Sequence, residues 1–155
     1  MTDPRPELPD DIVVGLDDSP SGMAALRWAA DYAKLTGWRL RAVHALSWPF
    51  GAGSDTERSL RETDEAYRAS ITGLFSAIDP HLDWQLQLAK GDAGPVLIEQ
   101  SASARVLVLG TPSHVGLGRL LVGSVGHHCL RHASCPVVFV PPDESVPEHS
   151  GQSDQ

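Results

Sequence analysis

The sequence predicts a single-domain α/β protein built on an open five-stranded parallel sheet with helices on both faces. Three observations carry that prediction. Short apolar runs alternate with helical patterns along the 155 residues. One run, Val106-Leu107-Val108-Leu109, is apolar at every position, as a central parallel strand covered on both faces must be. Prolines, glycines and short polar residues punctuate the chain between these segments.

Each element follows from its own residues. Positions 12–16 are rich in β-branched side chains and read as the first strand. Asp17-Asp18-Ser19-Pro20 then opens a helix, because the Ser19 hydroxyl can cap free N–H groups and a first-turn proline loses no bond. Ala25, Trp28, Ala29, Tyr32 and Leu35 recur at helical spacing as its inner face, and Gly37 stops it. A second strand covers 40–46, and Trp48 to Gly53 is a loop. The next helix spans about 56–77, with Leu60, Ala66, Tyr67, Ile71, Leu74 and Phe75 inward, and Asp79-Pro80 ends it. Residues 84–89 alternate as a strand near an edge does. A short helix over 95–103, the apolar strand at 106–109, a glycine-rich loop at 110–123, a helix over 124–132 and a strand at 137–140 complete the domain. That domain occupies 12–141, between a disordered N-terminal extension, 1–11, and a disordered acidic tail, 142–155.

Composition narrows the function. Twenty acidic against twelve basic residues give a net charge of -8, with only Lys34 and Lys90 as ammonium groups, which argues against nucleic acid as a partner. No segment has the roughly 18 apolar residues of a membrane helix, and the polar N-terminus resembles no signal peptide, so a cytoplasmic location away from membranes is expected. Cys129 and Cys135 suit that reducing compartment better than a disulfide framework.

In an open parallel sheet, ligands bind at the carboxyl ends of the strands, where the strand order reverses. Two segments must reach that edge. One holds Gly15, Asp17 and Ser19; the other runs from Gly110 through Ser113, His114, Gly116, Arg119 and Gly123 to Ser124. Glycines there admit a phosphate close to the backbone, and a helix opening at Ser124 offers unpaired N–H groups and its positive end. Arg119 is the only arginine or lysine in the loop. The same glycines also suit simple packing, and neither a Gly-Lys-Ser/Thr loop nor a dinucleotide fingerprint is present.

The loop resembles the nucleotide-binding motif of the universal stress protein family: glycine, two residues, glycine, nine residues, then glycine and serine or threonine. Gly110 takes the first position and Gly123-Ser124 the last two, while Ser113, preceded by Pro112, replaces the middle glycine. Residues 13–19 (VVGLDDS), Gly91-Asp92 and residues 130–138 (LRHASCPVV) are similar to further family segments in the same order. The resemblance implies a Rossmann-like sheet ordered 3-2-1-4-5 and a homodimer joined through the last strand, 137–140. It implies a stress-response sensor or regulator that binds an adenine nucleotide, ATP foremost, with Mg2+ accompanying the phosphates. Asp17 would meet the adenosine end, backbone near Val43 would line adenine, and Gly110, Gly123, Ser124 and Val125 would surround the phosphates. A protonated His114 would add a phosphate contact beside Ser113. Two alternatives stay open: a dimerising interaction module without nucleotide, and a binder of another adenine nucleotide such as a cyclic monophosphate.

Catalysis is not expected beyond slow ATP hydrolysis, because neither Ser19 nor Ser124 has a recognisable histidine–carboxylate partner in sequence. His128 and His132, four apart on a helix, have zinc-compatible spacing, but a helix C-terminus suffices to explain them. Trp48 and Phe50 are placed to cover an adenine or to pack under the next helix.

Overall fold

The computed structural model describes residues 10–47, 54–112 and 122–143. In chain order the elements are β1 (Asp11–Gly15), α1 (Pro20–Thr36), β2 (Arg39–Leu46), α2 (Ser54–Ser76) and β3 (Gln85–Lys90). They continue with α3 (Ala93–Gln100), β4 (Val106–Gly110), α4 (Gly123–His132) and β5 (Val137–Val140). The strands form one sheet in the expected order, β3-β2-β1-β4-β5, and every pairing is parallel.

Strand alternation divides the core into two layers. Ile12 and Val14 of β1, with Val106 and Val108 of β4, face α1 and α2, where they meet Leu26, Ala29, Ile71 and Phe75. Val13, Leu107 and Leu109 face the other way, onto Val96, Leu97 and Cys129 of α3 and α4. Arg41 of β2 ties α3 to the sheet, donating to the Gln100 side chain at 2.8 Å and to its carbonyl at 2.7 Å. That carbonyl belongs to the last turn of α3, where a helix needs outside donors.

Helix α1 starts and stops as its sequence requires. The Ser19 hydroxyl accepts from the Gly22 N–H at 3.0 Å, and Gly37 adopts φ +73° while donating to the Ala33 carbonyl at 2.9 Å. Its inner face is rotated from the expected one, however. Ala25 and Ala29 are buried as expected, but Leu35 is exposed, and Gly22, Leu26 and Ala33 complete the buried face. Small residues let the helix lie close to the sheet, so Trp28 and Tyr32 move to its flank, stacked at 5.0 Å. In α2, Ile71 and Phe75 are buried as expected, Tyr67 and Leu74 are half-buried, and Ala66 is exposed. Helix α3 begins at Ala93, earlier than its proline suggested, because Pro95 still lies in the first turn.

Order also reaches into both expected extensions. The Asp10 carbonyl accepts from the Arg39 N–H at 2.8 Å, and Asp10 pairs with Arg105 at 3.0 Å. At the other end Asp143 pairs with Arg27 at 3.2 Å. Among the described residues, no helix is long and apolar enough to cross a membrane.

Both cysteines are free thiols. Burial, with the nearby Cys135 adding to it, pushes the Cys129 thiol up to about 11; burial also raises Cys135. A thiol whose pKa rises on folding stabilises the native state below its unfolded value and loses that advantage above it. Unfolding free energy measured in urea should therefore be flat up to about pH 8.5, the unfolded thiol's range, and decline toward pH 11. Cys129→Ala should flatten that decline, and Cys129 in the native wild type should resist alkylation at neutral pH.

Candidate functional site

Strand order reverses at β1, whose neighbours β2 and β4 lie on opposite sides. Their carboxyl ends border a cleft of about 520 Å³. Gly15 to Gly22 supplies one wall, Val43 to Ala45 a second, and Leu109 and Gly110 a third. Residues 122–126 of α4 and its approach close one end, and Ala93 and Leu97 of α3 contribute from below.

The Asp17 turn is built around a single oxygen. Asp17 Oδ1 accepts the Ser19 N–H at 3.0 Å and the Ser19 hydroxyl as well. Ser19 Oγ thus donates to Asp17 while accepting from Gly22, so cap and carboxylate hold each other. Gly22 is required for this, since a Cβ there would lie 2.1 Å from Asp17 Oδ1. Oδ2 takes no part in these bonds.

The other glycines of the cleft have distinct physical reasons. At Gly110 a Cβ would lie 2.5 Å from the Ser21 carbonyl carbon and oxygen, so the first turn of α1 itself demands glycine. At Gly15 it would meet Leu109 Cδ2 at 2.8 Å. Gly123 answers to backbone conformation instead, with φ +70° at the first position of α4. Val122, at the N-cap, makes no side-chain capping bond, so the first N–H groups of α4 face the cleft without one. Ser124 and Val125 are exposed beside them.

His44 on β2 is the polar side chain that sequence reasoning passed over. It is buried, with 6% of its surface exposed, and its Nδ1 lies 2.7 Å from the Leu16 carbonyl. Tyr67 of α2 packs its ring edge-on over the imidazole, at 5.1 Å between centroids. The Tyr67 hydroxyl donates to Asp18 at 3.5 Å; burial first, then the charges of Asp18 and Asp17, raise its pKa.

Of the residues expected to bind ligand, Gly15, Asp17, Ser19, Val43, Gly110, Gly123, Ser124 and Val125 all line this one cleft. Ser113, His114, Gly116 and Arg119 lie outside the described residues, as do Trp48 and Phe50. His44, Ala45, Ala93 and Leu97 line the cleft without having been singled out. A histidine in the apolar second half of β2, after Arg41, was the available signal for the first; the others are small or aliphatic and carry none. Among the described lining residues, Asp17 is the only carboxylate and neither lysine nor arginine occurs. His128 stands apart from the cleft walls, with its ring against Gly94 and 4.6 Å from that of His132.

Residues 9–141 match the universal stress protein family. A universal stress protein of Mycobacterium tuberculosis is 35% identical over 158 residues, covering 92% of this chain and 51% of its own length. The chain thus spans about half the length of the curated relatives it matches. Among solved structures, the universal stress protein UspA of Lactobacillus plantarum superposes with a TM-score of 0.68 at 19% identity, covering 84% of this chain and 96% of that one. A universal stress protein solved in complex with cAMP gives 0.60 at 23% identity, with 86% and 97% covered. At these identities the structural likeness is one of fold.

The contact between Gly110 and the Ser21 backbone leaves no room for a methyl group. Gly110→Ala should therefore lower the unfolding free energy by about 1–3 kcal/mol, measured by urea titration. The Gly73→Ala control, where nothing lies within 4 Å of an added Cβ in mid-helix, should be neutral or stabilising by about 1 kcal/mol.

Proposed function

The chain belongs to the universal stress protein family, and from that premise we propose that it binds an adenine nucleotide in the cleft at the sheet's carboxyl edge. In this reading it acts in the cytoplasm as a sensor or regulator of a stress response. The observation that carries the reading is that one cleft is lined both by Asp17, whose Oδ2 takes no part in the bonds of its own turn, and by the α4 N-terminus, which has no side-chain cap among the described residues. Asp17 thus offers Oδ2, and the α4 N-terminus offers its first N–H groups. Those are the acceptor a ribose hydroxyl needs and the donors a phosphate needs. A neighbour of the same fold, solved with cAMP, supports an adenine nucleotide as the ligand class.

Val43 and the following β2 backbone would line adenine, and Gly15 and Ser19 would shape the nucleoside end. Gly110, Gly123, Ser124 and Val125 would surround the phosphates, joined by Ser113, His114, Gly116 and Arg119 of the intervening loop. ATP is the leading ligand. Mg2+ would travel with its phosphates, because among the described residues no cluster of three or more acidic, histidine or cysteine side chains forms a cation site.

A second reading has its own support. Without lysine or arginine among the described lining residues, the cleft suits a nucleotide of lower charge, such as a monophosphate or cyclic monophosphate. Dimerisation through β5 accompanies either reading. Pro136 and Val140 direct their carbonyls to β4, so Val137 and Phe139, between them, direct backbone groups outward from the sheet edge.

Titration calorimetry with ATP, ATP with Mg2+, AMP and cAMP should give micromolar binding for at least one of them. Asp17→Asn keeps the Oδ1 acceptor for Ser19 and should weaken that binding about tenfold, as loss of one charge-assisted bond would. Wild-type protein that ignores all four ligands at millimolar concentration would return the cleft to a packing role and favour the interaction module. Light scattering on the eluting protein should report twice the monomer mass, and a monomer would remove β5 as the dimer seam.

A further inference from the structure

We propose that His44 is the positioning residue of the cleft, its Nδ1–H holding the Leu16 carbonyl and so setting where the Asp17 carboxylate stands. The inference rests on the nucleotide reading for its consequence, though not for its geometry.

The parallel ladder between β1 and β2 runs from Asp11↔Arg39 to Gly15↔Val43 and ends there. Leu16, one residue beyond, is still buried, and both of its backbone groups need partners. Its N–H donates to the Val43 carbonyl at 2.9 Å, a backbone bond to β2 one residue beyond the paired strand. Its carbonyl meets the imidazole of His44 at 2.7 Å. A carbonyl oxygen only accepts, so Nδ1 carries a proton. Two successive residues of β2 therefore grip Leu16 from both sides immediately before the chain turns into Asp17.

Packing alone does not explain a histidine here. Nε2 is buried and has no partner among the described residues, a condition that disfavours imidazole against an aliphatic side chain of similar size. Neighbours on the same face of the sheet are Ala42, Leu40 and Ile12, all apolar. What the ring adds over leucine is one donor at the Nδ1 position. That donor is used on the only backbone carbonyl standing between the end of β1 and Asp17. Tyr67, edge-on above the ring, and its hydroxyl on Asp18 extend the same brace to α2.

The brace matters because, among the described residues, it is the side-chain bond from β2 that holds the chain entering the Asp17 turn, beside the backbone bond from Leu16 to Val43. Oδ1 is held by Ser19, which belongs to the same turn and would move with it. Releasing the Leu16 carbonyl would let the turn fluctuate, opening the Oδ1 bond to the Ser19 N–H more often and carrying the nucleoside acceptor out of place.

The test compares His44→Leu, which removes the donor, with His44→Asn, whose amide N–H can occupy the Nδ1 position. In His44→Leu, affinity for whichever adenine nucleotide the wild type binds should fall about tenfold, and exchange of the Ser19 amide hydrogen should quicken about tenfold. His44→Asn should restore both to within about threefold of wild type. Nitrogen-15 NMR of the wild type should show neutral His44 protonated at Nδ1. A merely structural role predicts instead a lower Tm in His44→Leu with affinity and Ser19 exchange unchanged, and that result overturns the proposal. Protonation at Nε2 in the wild type overturns it too, whether or not the variants fold. Wild-type protein that binds no nucleotide sinks the nucleotide reading alone, and the Ser19 exchange and the His44 tautomer then decide the brace.

Discussion

The first turn of α1 lies so close to the carboxyl ends of β1 and β4 that no side chain fits between them. Gly110 faces the Ser21 backbone, and Gly22 faces Asp17. The small residues Ala25, Ala29 and Ala33 continue that approach along the helix. This proximity fixes the rest. It sets the height at which the chain leaves β1, brings Asp17 beside the start of the helix, and puts the first turn of α1 in the wall of the cleft. Bulk displaced from the interface reappears at the edge of the helix, where Trp28 stacks on Tyr32 and Tyr32 meets Trp38 edge-on. Arg105 closes that aromatic group by lying over Trp38, 4.9 Å from the ring.

The alternation of apolar runs with helical patterns made the order of elements legible, because each boundary has a local physical cause. Ser19 capping, Pro20 at the first position and Gly37 in a left-handed conformation all act within a few residues. Faces were less legible. The spacing of Trp28, Tyr32 and Leu35 suits a helix perfectly well, but size decides which of two adjacent faces meets a sheet, and alanine carries a weak hydrophobic signal. Ala66 failed for the same reason in reverse, since nothing local distinguishes an exposed alanine from a buried one.

The site was legible where residues announce themselves by type. Asp17, Ser19, Gly110, Gly123 and Ser124, which the motif and the rule that ligands gather at the carboxyl ends of parallel strands both single out, line one cleft. His44 was not singled out, because its role depends on a carbonyl 28 positions earlier in the chain, and such a partner exists only once β1 and β2 lie side by side. Ala93 and Leu97 were missed on similar grounds, since α3 reaches the cleft only after crossing back over the sheet.

Glycines and unspent polar groups carry different weight as signs of a ligand. Gly110 is required by the Ser21 backbone and Gly123 by its positive φ, so both would be glycine in a chain that never met a nucleotide. A motif read through its glycines alone therefore reports on packing as much as on binding. Hydrogen-bonding capacity is another matter, because folding gains nothing by leaving it unused. The α4 N-terminus carries no side-chain cap even though Ser19 shows that this chain caps where a cap is needed. Asp17 likewise directs one oxygen into its own turn and keeps the other apart from it. Among the described residues, Asp17 and the α4 N-terminus therefore bear on a ligand more directly than the glycines between them do.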